Sequence, residues 1–328
     1  MPDFNANSTT NDVLAGLSLA GRRILVTGVS SGLGVETARA LVAHGADVIG
    51  TARDVDKAER ATIGVRDAAE ASGGRFDIIE LDLASVASVN AASGSLLNKG
   101  QPFHAVIANA GVMVPPESRT PDGFETQFGT NHLGHFLLVT SIAPLITDGG
   151  RVVVLSSAGH RLSDIDLADL NYEEGRYDPW IAYGRSKTAN VLFAVEFDRR
   201  YRSRDIRACA VMPGLINTDL GRHMTPDQQQ AIMADIQRQA ELSKAPSFGF
   251  KTLRQGAATT VWAAIVADGN VIGGQYCEDC AVASIAYGDG FNGGVRPYAL
   301  DQKNAHLLWD ASARMVGQLS SIQSPHDD

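Results

Sequence analysis

The stretch RILVTGVSSGLGVETARALVAHG, Arg23 to Gly45, decides the fold. RILVT is a short apolar run of strand length, and it stops at a turn holding Gly28, Gly32 and Gly34. The residues after Gly34 return to a helical pattern. Glycines there permit a tight strand-to-helix turn, and the free N–H groups and dipole at the helix start attract a pyrophosphate. A strand, a glycine turn and a helix in that order form the opening unit of a dinucleotide-binding sheet. Gly28, Ser30, Ser31, Gly32, Leu33 and Gly34 are therefore candidate cofactor contacts.

Outward from this unit, short apolar runs alternate with longer amphipathic segments. Candidate strands are Arg23 to Thr27, Ala46 to Thr51, Phe76 to Leu81, His104 to Asn109, Arg151 to Ser156, Arg207 to Met212 and Gly273 to Cys277. This alternation predicts an α/β fold: a single-domain Rossmann-type doubly wound parallel sheet of about seven strands with helices on both faces. We expect a polar leader over residues 1–18, a dinucleotide-binding catalytic domain over 19–317 and a polar tail over 318–328. Two insertions interrupt the rhythm, at about 158–180 and 218–250, the second holding a Gln-rich expected helix. Insertions beside strand ends in such sheets usually cover the ligand site. A Gly- and aromatic-rich stretch, AYGDGFNGGVRPY, leads into a final amphipathic segment around Ala305 to Val316.

With 328 residues and 44% hydrophobic content the chain can bury a large core. A formal charge of −9 argues against a nucleic-acid or anionic-membrane partner, since both need a concentrated basic face. No apolar run reaches the roughly 18 residues of a membrane span. The first dozen residues lack the basic and apolar regions of a signal peptide, so a cytoplasmic chain is expected. Three cysteines are too few for a disulfide framework. Cys277 and Cys280 form a C-x-x-C, but no second pair or nearby histidine completes a zinc site, so no metal is expected and the pair reads as packing after a strand.

At the end of the second strand, NAD-selective sites place an acidic residue against the adenosine ribose. Here the chain reads TARD, with Ala52 at that position and Arg53 next, suited to a 2′-phosphate. NADP(H) is favoured, with NAD(H) as the alternative if Asp54 instead faces the ribose. Asp54 is equally explained as the cap of the following helix.

Farther on, YGRSKTAN (Tyr183 to Asn190) places a phenol and an ammonium four residues apart, on one face of a helix that continues as apolar VLFAVEF. Hydride transfer to a carbonyl builds alkoxide character on oxygen, which calls for a positioned acid and a second donor to orient the carbonyl. Bringing a tyrosine from about 10 to near 7 requires roughly 4 kcal/mol. An ammonium at about 4 Å in an effective dielectric near 20 supplies about that much.

Taken in order, TGVSSGLG, ANAG (Ala108 to Gly111), TNHLGHF, LSSAGH, YGRSK and PGLINT resemble the short-chain dehydrogenase/reductase family over Leu19 to Trp309. FETQFGTNHLGHFLL and YGRSKTANVLFAVEF resemble its branch containing retinol dehydrogenases, the WW-domain oxidoreductase and protochlorophyllide reductase. Ala108 departs from the family, where many members carry a second asparagine. The resemblance implies a catalytic tetrad of Asn131, Ser157, Tyr183 and Lys187, with Tyr183 as general acid/base and Ser157 orienting the carbonyl. Tyr183 would also border the cofactor, and Lys187 would hold the nicotinamide ribose. Asn131 would hold a water linking the lysine to solvent. Further implied cofactor contacts are Asp82 near adenine with the adjacent Leu83, then Asn109, Ala110 and Gly111, and Pro213, Gly214 and Thr218 near the nicotinamide amide.

The activity so implied interconverts an alcohol with an aldehyde or ketone, on a lipophilic or aromatic small molecule. Tyr177, Trp180 and the second insertion are candidates for an apolar pocket or for the insertions' own cores. His132, His135 and His160 carry no motif role and are expected to serve packing or solvation. Many relatives form homodimers or homotetramers through the helices bearing Asn131 and Tyr183, which insertions can block. The alternatives are a non-catalytic dinucleotide-binding regulator and an epimerase or dehydratase of the extended family. The latter usually reads TGxxGxxG, against TGxxxGxG here.

Overall fold

A computed structural model describes residues 4–225, 227–228, 230, 234, 249–287 and 293–318. Most of the Gln-rich helix expected near 230, the centre of the Gly- and aromatic-rich stretch and nearly all of the 318–328 tail lie outside the described residues. The chain runs α1 (Thr10–Leu14), β1 (Arg23–Thr27), α2 (Gly32–Val42), β2 (Asp47–Ala52), α3 (Val55–Ala61), α4 (Ile63–Ser72), β3 (Arg75–Glu80), α5 (Val86–Lys99) and β4 (Phe103–Ala108). It continues through α6 (Thr126–Phe128), α7 (Gly134–Ile142), β5 (Ile146–Leu155), α8 (Pro179–Tyr201), β6 (Arg207–Met212), α9 (Leu253–Val261), α10 (Gly269–Ile272), β7 (Tyr276–Glu278), β8 (Ala281–Val282) and α11 (Gln302–Met315).

The strands form one sheet in the order β3-β2-β1-β4-β5-β6-β7-β8, parallel except for the last, which pairs antiparallel with β7. Alternate residues of each central strand enter opposite cores. Leu25, Val106, Val152, Val154 and Ala208 face one; Ile24, Val26, Ile107, Val153 and Cys209 face the other. Burial on both faces explains why these strands read as unbroken apolar runs. Between β1 and β4 the strand order reverses, and ligands of such sheets bind in that crevice at the carboxyl ends.

Part of the polar leader is anchored. Thr9 and Asp12 form a reciprocal cap at the start of α1, Val13 and Leu14 are buried, and Thr10 Oγ1 donates to Glu36 on α2 at 2.6 Å. The eighth strand adds to the expected seven. It is two residues long and follows a two-residue turn, Asp279–Cys280, with φ of 51° and 58°, the left-handed pair that suits a tight hairpin. Cys209, Cys277 and Cys280 are buried free thiols. At the other end, α11 lies on α7 and α8. Trp309 meets Phe136 edge-on at 4.9 Å and stacks on Phe193 at 5.9 Å, and His132 Nε2 is 2.8 Å from Ser312 Oγ.

Candidate active site

The glycine turn closes on itself and on β4. Gly28 has φ +77°, and a Cβ there would come within 2.9 Å of Ala110. At Gly34 a Cβ would lie 2.1 Å from the Gly28 carbonyl and 2.7 Å from Asn109 Nδ2. Neither position tolerates a side chain. Ser31 precedes α2 in extended conformation with no side-chain cap, so the helix's first N–H groups remain for a ligand. Gly32, φ +61°, faces Thr218, whose Cγ2 would be 3.4 Å from a Cβ at Gly32. These features fit a dinucleotide pyrophosphate: a cradle without side chains, an open helix start and a lid residue opposite.

Gly28 and Val29 N–H both donate to the Thr51 carbonyl at the end of β2 (2.9 and 3.0 Å), which brings Arg53 beside the turn. Arg53 is exposed, and among the described residues its guanidinium has no hydrogen-bond or ion-pair partner. Asp54 is the N-cap of α3, its Oδ1 accepting from Lys57 N–H at 2.8 Å. The carboxylate that complicates the sequence reading is thus engaged at a helix start.

On the far side of the crevice, Thr27 Oγ1 accepts from the N–H groups of Asn109 and Ala110, each at 2.9 Å. Asn109 Nδ2 returns a bond to the Thr27 carbonyl at 2.7 Å. Asp82 Oδ1 accepts from Ala84 N–H at 3.0 Å in the loop after β3, and Leu83 is buried with its carbonyl against Gly134. After β6, Gly214 takes φ +99° under the Lys251 side chain, next to Pro213.

The four tetrad candidates converge at the carboxyl ends of β4 and β5. Gly129–Leu133 forms a π-helical turn before α7, with Gly134 N–H donating to Gly129. Such turns concentrate at functional positions. The turn carries Asn131, which is fully buried. Its Oδ1 accepts from Val112 N–H at 2.8 Å, and its Nδ2 donates to the Val112 carbonyl and to Ser186 Oγ, both at 2.9 Å. Gly111 sits between Asn131 and Lys187; a Cβ there would be 3.1 Å from Asn131 Oδ1 and 3.5 Å from Lys187 Nζ. Ser157 follows β5 in extended conformation, its Oγ accepting from Gly159 N–H at 3.0 Å and lying with the Tyr183 ring beside Gly159. Ser156 points the other way, its Oγ donating to the Lys187 carbonyl at 2.9 Å, as strand alternation requires. Gly159 leaves room for the Tyr183 ring, which a Cβ would meet at 2.6 Å.

The electrostatics differ from the sequence expectation in one respect. Lys187 Nζ donates to the Leu155 carbonyl at 3.2 Å and stands 5.7 Å from the centre of the Tyr183 ring. Burial dominates: it pushes the phenol up to about 12, opposed by the nearby Ser157 hydroxyl, and pulls the ammonium down to about 8. In the free protein the lysine therefore does not bring the phenol toward neutrality.

Two histidines that carry no motif role also reach the tetrad, through main-chain carbonyls. His135 Nδ1 lies 2.9 Å from Asn131 O and His160 Nδ1 lies 2.7 Å from Ser157 O. Their spacings, i+4 and i+3 from those residues, were the available signal. The insertion's aromatics form its own small core. Tyr172 and Tyr177 pack edge-on at 5.4 Å, and the Tyr177 hydroxyl donates to buried Glu125 at 3.2 Å. Among the described residues no group of three metal-ligating side chains occurs, and no helix is long and apolar enough to cross a membrane.

A doubly wound sheet with a glycine cradle at its switch point is the architecture of a Rossmann-type dinucleotide-binding oxidoreductase. The short chain dehydrogenase family matches residues 22–229, and the chain belongs to that family of NAD(P)-dependent oxidoreductases, in its retinol dehydrogenase-like branch. The chain is 37% identical over 299 residues to the short-chain dehydrogenase/reductase prx1 of Penicillium roqueforti, covering 89% of this chain and 84% of that protein. It is 36% identical over 315 residues to mouse (Mus musculus) retinol dehydrogenase 14, covering 91% and 87% respectively. A crystal structure of an uncharacterized protein from Mycobacterium Paratuberculosis superposes with a TM-score of 0.68 at 32% identity, covering 95% of this chain and 98% of that one.

Proposed function

We propose that the chain is an NADP(H)-preferring oxidoreductase that interconverts an alcohol with an aldehyde or ketone on a lipophilic or aromatic small molecule, with Tyr183 as general acid/base. The observation that carries this reading is the convergence of Ser157 Oγ and the Tyr183 ring beside Gly159 at the carboxyl edge of the sheet, with Lys187 buried one helical turn further along the same face of α8. When bound, the dinucleotide supplies or takes the hydride. The chain's part is to hold a proton on Tyr183 Oη, where alkoxide character develops, and to orient the carbonyl oxygen with Ser157 Oγ. A phenol held up at about 12 is protonated at neutral pH, as an acid must be. Lys187, released from the Leu155 carbonyl, would hold the ribose hydroxyls. The glycine turn would hold the pyrophosphate and Arg53 the 2′-phosphate.

The test is a panel of hydrophobic ketones, aldehydes and secondary alcohols followed by NADPH absorbance. Turnover with some of them supports the reading, and none with any would favour a dinucleotide-binding regulator. Because α11 covers the α7–α8 face, we take assembly through that face to be blocked. Light scattering should give no dimer that mutation of that face dissolves.

A further inference from the structure

The two histidines that touch the tetrad candidates have determined proton positions. Thr27 Oγ1 accepts two backbone N–H groups, so its single proton is left for His135 Nε2, 2.8 Å away. Nε2 is then an acceptor, and the ring proton sits on Nδ1, facing an Asn131 carbonyl that can only accept. In His160, Nε2 accepts from the Arg296 backbone N–H at 3.2 Å, so here too Nδ1 carries the proton, toward the Ser157 carbonyl. Both rings are buried, and burial draws each down to about 4, so both are neutral at pH 7. The groups facing them add no anion: Lys187 and His132 lie near His135, and Arg161, Arg296 and the Tyr276 ring lie near His160.

We propose that His135 and His160 are positioning residues, each donating Nδ1–H to the main-chain carbonyl of one tetrad residue while Nε2 ties that residue to an element outside the tetrad. The role rests on the oxidoreductase reading above. His135 ties the π-helical turn of Asn131 to Thr27, the same hydroxyl that holds the Asn109 and Ala110 amides, so the cofactor floor and Asn131 share one ring. His160 ties the Ser157 turn to the segment before α11, a link reinforced by the Tyr298 hydroxyl donating to the His160 carbonyl at 2.8 Å. A second proton on either ring would set donor against donor, at Thr27 or at the Arg296 amide.

The two ring nitrogens can be tested separately. Asparagine sets its amide nitrogen near the place of Nδ1, and glutamine sets its amide oxygen near the place of Nε2. His135→Asn and His160→Asn therefore keep the bond to the tetrad carbonyl; His135→Gln and His160→Gln keep only the outer bond. We expect kcat in the Asn variants within about threefold of wild type, and at least about tenfold lower in the Gln variants, as loss of one buried hydrogen bond implies. Substrate KM should change little, and the two variants at each site should melt alike. Equal losses of kcat at a site, tracking melting temperature, would mean that the ring only fills space, and would overturn the proposal. Nitrogen NMR of the wild-type imidazoles gives a readout independent of turnover, and Nδ1–H is expected at both residues. An Nε2–H or doubly protonated ring at neutral pH would overturn the proposal even in an active enzyme. Correct tautomers with no wild-type turnover would instead overturn the oxidoreductase reading, and this role with it.

Discussion

Replacing Arg53 by alanine should change cofactor choice and little else. The end of β2 is pinned to the glycine turn through the Thr51 carbonyl, and on the proposed reading the next side chain but one would meet a 2′-phosphate. Arg53 is exposed and unpartnered among the described residues, which leaves its guanidinium no competing anion to leave. Two acids of this region are engaged elsewhere: Asp54 caps α3 at 2.8 Å, and Asp219 lies 3.7 Å from Lys57 Nζ. A hydrogen bond to a charged group contributes about 1.5–3 kcal/mol, or roughly 10- to 150-fold. Exposure and salt place this contact toward the lower end, about 10- to 30-fold. The assay compares kcat/KM for NADPH and NADH in wild type and Arg53→Ala at fixed ionic strength. NADPH should lose that factor while NADH stays nearly constant. A wild type that prefers NADH, with a ratio unmoved by the substitution, would refute the reasoning and return the ribose to Asp54.

Gly34→Ala should lower NADPH affinity by about a hundredfold or more, because its Cβ would lie 2.1 Å from the Gly28 carbonyl and force the cradle open; calorimetric titration checks it. Lys187→Met should abolish turnover and yet raise the stability of the free protein at pH 7. Unfolded, the lysine holds its proton to 10.5, and folded only to about 8, so the unfolded state binds more protons in that window and stability rises with pH across it. Below about pH 8 the buried charge costs about 3 kcal/mol, which methionine removes, and the Leu155 carbonyl keeps its bond from Asn190 Nδ2 at 2.9 Å. Melting curves from pH 6 to 10 should show Lys187→Met ahead at the acid end and the gap closing with pH; a less stable variant at pH 7 would contradict the burial argument.

Much of this was legible because central parallel strands bury both faces, and β1, β2, β4 and β6 read as apolar runs with ends within a residue of those observed. The edge strand β3, half exposed, was still placed within a residue by its Phe76, Ile78 and Ile79. β5 begins five residues earlier than its apolar run, since Ile146 to Gly150 pairs irregularly with β4. β8 was not legible: two exposed residues carry no period, and only the left-handed Asp279 and Cys280 make the hairpin. The helix in the leader had a local signal, Thr9 three residues before Asp12, that polar composition masked. Tyr183 and Lys187 were legible as partners because their spacing is a helical turn. Their pKa values were not, since those depend on how deeply α8 is buried and on where Nζ points. The histidine tautomers depend on Thr27 and on Arg296, more than a hundred residues away in each case, which no local pattern records.

Tyr183→Phe tests the central claim most directly. The substitution removes one hydroxyl, keeps the ring packed beside Gly159 and leaves the glycine cradle and Lys187 in place. Steady-state turnover on a substrate from the carbonyl panel is measured beside NADPH affinity in the same preparation. Loss of the general acid should lower kcat by about a hundredfold or more, with NADPH affinity within about threefold of wild type. Turnover near the wild-type rate with unchanged NADPH affinity would contradict the account, since the proton would then come from another group.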